Sequence, residues 1–158
     1  MSKLAASLSG PQSQAWGAYI ESSVRLETRL DELLRERTGL TLIDYHLLML
    51  LAGAPEHRMR MSELADRMVF SRSRITYQID SMTKRGLTVR ESAPDDRRGY
   101  RTVLTAEGLR ALQEAMPQHA ASVRALFLDD LDAGEIACVE RIFGRLRDRL
   151  DNERKVSS

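Results

Sequence analysis

One helix-start pattern recurs four times along this chain and constrains what it can fold into. In each copy a polar residue that can cap a helix has one apolar residue directly before it and another four positions after it. The two apolar residues can pack against each other as a hydrophobic staple. The four cap positions are Thr41, Ser71, Thr105 and Asp132. Acidic residues at the third helical position, Asp44 and Glu135, also favour capping boxes at the first and last of them. The chain is therefore predicted to be mainly helical.

The composition agrees with a globular, helix-rich chain, since 42% of the 158 residues are hydrophobic, 30% are charged and only 5% are aromatic. Periodicity and turn residues then predict the order of elements. Helices are expected over 12–37, 42–52, 61–68, 72–85, from 106 onward with a kink at Pro117, and over 133–153; strands are expected over 87–91 and 100–104. The predicted fold class is mainly α with a small β-hairpin.

The segment "MSELADRMVFSRSRITYQIDSMTKR", residues 61–85, has the pattern of a helix-turn-helix. Its inward residues would share a small core: Leu64, Ala65, Met68, Ile75, Ile79 and Met82. The outer face of the second helix would present Arg72, Ser73, Arg74, Thr76, Tyr77 and Gln78. Arginine pairs with guanine edges, glutamine with adenine, and serine or threonine with phosphate. The alternative is an ordinary solvated helix face.

The loop of the predicted hairpin favours the nucleic-acid interpretation. It contains Pro94, Asp95, Asp96, Arg97, Arg98 and Gly99. Proline and glycine suffice to turn the chain, so two adjacent arginines at the tip indicate a further role. A helix-turn-helix followed by a hairpin is a winged helix, and its wing would carry Arg97 and Arg98 to the backbone or minor groove of DNA.

Charge is distributed unevenly along the chain. Residues 57–101 contain eleven Lys or Arg and six Asp or Glu, a local excess of +5, although the whole chain has a net charge of only +1. A basic middle segment is typical of a module that binds a polyanion. No segment approaches a membrane span, the start lacks a signal peptide's apolar core, and the single cysteine, Cys138, suits a reducing compartment. A cytoplasmic location is expected.

The two terminal helices have apolar faces that suggest a dimer. In the last helix Ile136, Val139, Phe143, Leu146 and Leu150 follow alternating steps of three and four, and the first helix has a broad apolar face from Trp16 to Leu34. These faces have little else in the sequence to cover them. A homodimer is favoured over the alternative of a monomeric bundle.

The motifs "MSELADRM", "SRSRITYQIDSMTKRGLTVR", "PDDRRGYRTVLTAEG" and "LDAGE" resemble the MarR (multiple antibiotic resistance regulator) family of bacterial transcription regulators. The resemblance implies a single domain over 1–158, with a winged helix-turn-helix over 42–104 and dimerisation helices over 12–38 and 106–153. It also implies that Arg98 enters the minor groove, that Asp96 orients it, and that Arg97 contacts phosphate. The implied recognition positions fall on Ser71 to Gln78.

The resemblance further implies a cleft for a small, phenolic effector, with candidate contacts at Trp16, Tyr19, Tyr45, His46 and Met49. Aromatic and methionine residues at helical spacing are more often core residues, so this is the alternative at each position. The three histidines lack metal-ligand spacing, Cys138 is interpreted as an inert small residue, and no catalytic motif is present. Neither a cofactor nor an enzymatic activity is expected.

Taken together, the sequence predicts a homodimeric winged helix-turn-helix repressor that binds a pseudo-palindromic site in double-stranded DNA. A winged-helix scaffold whose basic face binds protein is the alternative from another class, and an enzyme that uses the cleft is a third. Steep salt dependence would distinguish DNA binding from the scaffold.

Overall fold

The computed structural model describes Leu8 and residues 10–92 and 100–156, with side chains to residue 153. The helices are α1 (Gly10–Thr38), α2 (Leu42–Ala52), α3 (Met61–Met68), α4 (Arg72–Lys84), α5 (Ala106–Val123) and α6 (Ala133–Val156). The strands are β1 (Arg58–Arg60), β2 (Thr88–Ser92) and β3 (Tyr100–Leu104). A short 3₁₀ turn, Pro55–His57, precedes β1, and a π-helical turn, Arg124–Leu128, follows α5.

The predicted helix starts are confirmed, together with their hydrogen bonds. At α2 the Thr41 side chain accepts from the Asp44 amide while the Asp44 carboxylate accepts from the Thr41 amide, each at 3.0 Å. Asp132 and Glu135 form the same reciprocal pair before α6, at 2.8 and 2.9 Å. Ser71 caps α4 through the amide of residue 74. Each of these three helices therefore begins where a side chain satisfies an otherwise unpaired amide.

The sheet contains one strand more than the sequence predicted. β3 lies between the other two strands in an antiparallel sheet of order β1-β3-β2, with Met59 opposite Thr102 and Val89 opposite Val103. The added strand, β1, has only three residues, too few for an alternating pattern to be visible in the sequence. It exists because β3 offers it a hydrogen-bonding edge.

The helix-turn-helix core agrees with the prediction. Of the six predicted core residues Met68 is partly buried, and the other five are buried: Leu64, Ala65, Ile75, Ile79 and Met82. They belong to one apolar cluster that also receives side chains from α2, α5 and the sheet region: Leu47, Leu48, Leu51, Met59, Leu87, Leu104 and Leu112. Because α4 contributes its entire inner face to this cluster, its outer face is left for solvent or a partner.

The close approach of α5 to the start of β2 depends on Gly108. A Cβ atom built on this glycine would lie 2.1 Å from the carbonyl oxygen of Leu87 and 2.8 Å from the Leu104 side chain. The Thr105 hydroxyl donates to the carbonyl of Gly86 at 2.6 Å and accepts from the Gly108 amide at 2.9 Å. The "LTAEG" motif therefore joins α5 to the sheet by backbone contact.

The chain remains helical through Pro117 to Val123, and the departure from α-helical hydrogen bonding comes at Arg124–Leu128. The described residues divide into two compact units, with the division between residues 120 and 121. None of the helices in the described ranges is both long enough and apolar enough to cross a membrane. The mainly helical winged fold is as predicted.

Candidate nucleic-acid interface

The turn between α3 and α4 fixes how the two helices meet. Val69 ends α3 in the left-handed conformation, with φ of 57°, and its amide bonds back to the last turn of that helix. The amide of Phe70 bonds to the carbonyl of Ala65 at 3.0 Å, and Ser71 then caps α4. A sharp reversal of this kind lets the inner faces of both helices enter one core.

The predicted outer face of α4 is exposed at most of its positions. The exposed residues are Ser71, Arg72, Ser73, Arg74, Thr76 and Tyr77. Among the described residues, Tyr77 is the most exposed large hydrophobic side chain, at 76%. Arg74 lies over the ring of Phe70, 3.8 Å from its centroid, so this guanidinium is held beside the turn. The first two turns of α4 thus display hydrogen-bond donors outward.

Gln78 differs from its neighbours on α4. It is half-buried, and its Nε2 donates to Oδ1 of Asp44 at 2.8 Å. Gln78 follows the buried Ile75 by three positions, a spacing that places it at the edge of the inward face. Sequence reasoning assigned Gln78 to the DNA-reading face, and that spacing was the available signal for its contact with the interior.

Asp44 is a functional candidate that sequence analysis identified only as part of a helix cap. Its side chain is fully buried, and it also accepts from Nη1 of Arg85 at 2.7 Å. Burial alone would raise the pKa of the Asp44 carboxyl, but hydrogen bonds from Arg85, the Thr41 backbone and Gln78, and the charge of Arg85, together lower it. Asp44 is therefore an ionised group that links α2 to α4.

The wing strand β2 is also joined to α4. Arg90 donates to Oδ1 of Asp80 at 2.9 Å and to the carbonyl of Thr76 at 3.2 Å. The arginine therefore holds the base of the hairpin against the outward helix. The predicted wing-tip residues Asp96, Arg97 and Arg98 lie outside the described residues.

A pocket of about 830 Å³ opens beside the helix-turn-helix, lined by α1, α2, α3 and α4. Two predicted effector contacts, His46 and Met49, belong to its lining. It also contains two guanidinium groups, from Arg67 and Arg74, and the ring of Phe70, which the sequence prediction did not include. The rest of the lining is Glu27 and apolar side chains such as Leu42, Ile43 and Leu50.

The other three predicted effector residues lie elsewhere. Tyr45 is a buried core residue, whereas Trp16 and Tyr19 are exposed on α1 with ring centroids 5.8 Å apart. In the described part of the chain none of the three belongs to the lining of this pocket. The pocket therefore brings together two of the five predicted effector contacts, His46 and Met49.

The ring of Tyr45 lies near the rings of two histidines: His46, which follows it in sequence, and His119, which is distant in sequence. The His119 and Tyr45 ring centroids are 4.6 Å apart, and those of His46 and Tyr45 are 5.9 Å apart. Burial lowers the pKa of His119, and the nearby His46 lowers it further. Burial also lowers the pKa of His46, while Glu27 acts in the opposite direction. Within the described ranges, no three His, Cys, Asp or Glu side chains cluster as metal ligands.

Sequence comparison shows that the chain is similar to known transcriptional regulators. A family model described as MarR family matches residues 38–99. The HTH-type transcriptional repressor YetL of Bacillus subtilis (strain 168) is 30% identical over 112 residues, 71% of this chain and 66% of that protein. The HTH-type transcriptional regulator MhqR of the same organism is 29% identical over 63 residues, 40% of this chain and 43% of that protein.

Solved structures extend the similarity over almost the whole chain. Sco3205, a MarR family transcriptional regulator from Streptomyces coelicolor crystallised in complex with DNA, is 33% identical, with a TM-score of 0.86 and 90% of each chain covered. AbsC, a MarR family transcriptional regulator from the same organism, is also 33% identical, with a TM-score of 0.84 and 92% of this chain and 97% of that one covered. This chain belongs to the MarR family of transcriptional regulators.

Proposed function

We propose that this protein is a repressor that binds a pseudo-palindromic site in double-stranded DNA as a homodimer. The observation that supports this most directly is the division of α4 into two faces. Ile75, Ile79 and Met82 are fully buried, while Ser73 and Tyr77 on the opposite side are exposed. A helix anchored along one face and rich in donors along the other suits the major groove.

In this proposal the recognition helix and the wing have separate roles. Arg72, Ser73, Thr76 and Tyr77 contact base edges and nearby phosphates, and Ser71 and Arg74 contact the backbone at the helix start. Asp96, Arg97 and Arg98 keep the roles predicted for the wing, with Arg98 in the minor groove. The Arg90 contacts to α4 would hold the wing beside the reading helix as one rigid part.

The proposed dimer is supported by exposed apolar side chains on both terminal helices. Ile136, Phe143, Leu146 and Leu150 are each at least 36% exposed on α6, and Trp16, Tyr19, Ile20 and Val24 are exposed on α1. Stripes of this size on a monomer are usually covered by a partner. A twofold dimer would present two α4 helices to two half-sites, which explains the expectation of a palindrome.

The proposed function is tested by selecting DNA from a random duplex pool with the wild-type protein. We expect a twofold-symmetric consensus and an affinity that falls steeply with salt. Arg72→Ala should cost about 1–3 kcal/mol of binding free energy on that site and relax one position of each half-site. Recovery of no consensus, with salt-independent binding to a protein partner instead, would support the alternative of a protein-interaction scaffold.

The wing is tested by a double-mutant cycle on the selected site. Arg98→Ala should weaken binding to all sequences and make the log–log salt dependence shallower by about two, because a dimer loses two phosphate-region contacts. Asp96→Ala should cost less, and the double variant should resemble Arg98→Ala, since an absent arginine needs no orientation. Additive losses, or a loss found only in Arg97→Ala, would contradict the assigned pair.

We further propose that the pocket beside α4 binds a small anionic phenol that releases the DNA. The lining combines apolar side chains with two guanidinium groups, an imidazole and one carboxylate, that of Glu27. The two guanidinium groups suit a carboxylate attached to an aromatic ring. Titration calorimetry with a simple hydroxybenzoate should show binding that Arg67→Met weakens. Arg110→Met, which removes a similar Arg–Glu surface pair on α5, is the matched control. Equal binding by both variants would place the ligand elsewhere.

A further inference from the structure

The Asp44 carboxylate forms a junction between three parts of the chain. Its oxygens accept hydrogen bonds from the Thr41 amide at 3.0 Å, from Gln78 Nε2 at 2.8 Å and from Arg85 Nη1 at 2.7 Å. Arg85 also donates to the carbonyl of Gly39 at 2.9 Å. A buried carboxylate is tolerated only when donors of this kind surround it, so removal of any one leaves an unfavourable polar group.

Two of these donors belong to one helix and its cap. Gln78 lies in the middle of α4, and Arg85 is its C-cap residue. They are seven residues apart, so the two anchor points are separated by about 10 Å along the helix axis. Apolar contacts at Ile75 and Ile79 hold α4 against the core but are not directional. Two directional bonds to a fixed carboxylate also define the direction of its axis.

The amide of Gln78 is directed towards this junction and away from the exposed side of α4. Bidentate recognition of adenine requires both polar atoms of the glutamine amide at the base edge. Here Nε2 donates to an oxygen of the fully buried Asp44, while Thr76 and Tyr77 are exposed. The glutamine is therefore committed to the interior side of the helix.

We infer that Asp44 and Gln78 are positioning residues that set the angle at which α4 is presented to DNA, and that Gln78 does not itself read a base. The inference rests on the proposed function, because it concerns how that function achieves specificity. A small tilt of α4 would displace every exposed side chain of its first two turns together. Sequence preference should therefore depend on the junction even though the junction touches no base.

The test compares Gln78→Met with the wild type, because methionine has a similar length and cannot donate. Binding is measured on the selected site and on a random duplex, and half-site preference is measured by selection from a library. Operator affinity should fall about tenfold, as expected for a lost hydrogen bond to a charged group, with non-specific affinity unchanged. Preference should weaken evenly across the half-site. Gln113→Met, at an exposed position of α5, is the matched control and should behave as wild type.

Three results would overturn the inference. A loss of preference confined to one base pair would make Gln78 a base reader. Unchanged affinity and preference would remove the junction from DNA recognition. Loss of thermal stability with an unchanged ratio of specific to non-specific binding would show that the junction has a purely structural role.

A second measurement separates this inference from the proposed function. Amide hydrogen exchange in α4 of the free protein should accelerate in Asp44→Asn, which preserves shape but removes the charge, and in Arg85→Met. If the wild type selects no DNA consensus, the proposed function fails, and faster exchange would still show that the junction anchors α4. If the wild type selects DNA normally but exchange in α4 is unchanged in both variants, the junction is not the anchor.

Discussion

At the scale of single residues, His119 lies where taking up a proton is unfavourable. Its Nδ1 is buried and has no hydrogen-bond partner among the described residues, and its ring packs on Tyr45. Burial and the nearby His46 lower its pKa. Protonation would therefore place a charge in an apolar setting beside a second ionisable ring.

The thermal stability of the protein should consequently decrease in mild acid. Above an unfolded-state pKa of about 6.5 the His119 ring is neutral in both states and has no effect. As the pH falls below that value the unfolded chain takes up the proton first, so unfolding becomes more favourable until the pH is below the lowered folded-state pKa. His119→Phe should therefore show a smaller fall in melting temperature than the wild type between about pH 7.5 and pH 5. Parallel curves for wild type and His119→Phe would show that His119 does not contribute to the acid sensitivity.

At the scale of elements, the contact between α5 and β2 depends on the absence of one methyl group. Gly108→Ala would bring a Cβ atom against the backbone carbonyl of Leu87, which cannot rotate away as a side chain could. The variant should lose about 1–3 kcal/mol of unfolding free energy, measured by urea denaturation. Gly144→Ala on α6, where a Cβ would meet no atom within 4 Å, is the control and should be neutral or stabilising. A Gly108→Ala variant as stable as the wild type would mean that α5 shifts freely on the sheet.

Helices that begin at a capping residue could be predicted from the sequence. Elements that depend on a partner distant in the sequence could not. The starts of α2, α4 and α6 each depend on a cap within three residues, and each matches its prediction. β1 has no local signal, because it is a strand only through its pairing with β3. At the junction, Asp44 is bonded to Gln78, 34 positions later in the sequence, and to Arg85, 41 positions later. The local sequence explained this aspartate as a capping residue, so it gave no reason to expect distant partners.

The same distinction applies to the candidate site. The exposed face of α4 followed from helical periodicity, because Ile75, Ile79 and Met82 could be assigned to the core. Gln78 lies at the boundary between the two faces, where periodicity alone does not decide. The pocket could be assigned only in part, since Arg67 and Phe70 reach it through the geometry of the turn.

At the scale of the whole molecule, the apolar stripe of α6 supports the proposed assembly. Phe143 is 40% exposed and lies near the centre of the stripe. Phe143→Asp should therefore shift the protein from dimer to monomer in sedimentation velocity and lower its melting temperature, because a buried unpaired charge is costly. Operator affinity should fall with it, since two half-sites would no longer be bound by one particle.

A matched charge on the other side of the helix provides the comparison. Asn152→Asp adds the same carboxylate nine residues further along, which is about 180° around the helix. It should remain dimeric. A Phe143→Asp protein that sediments as a dimer with unchanged stability would remove this stripe from the interface.

The small sheet has a consequence for behaviour at high protein concentration. An exposed strand edge is a template for pairing with another chain, which leads to aggregation. Here the outer strand β1 is only three residues long and has arginines at both ends, Arg58 and Arg60. On the other edge, Arg90 of β2 is bonded to α4. The strand edges are thus short and charged, so copies of the protein can reach a high concentration without their sheets joining.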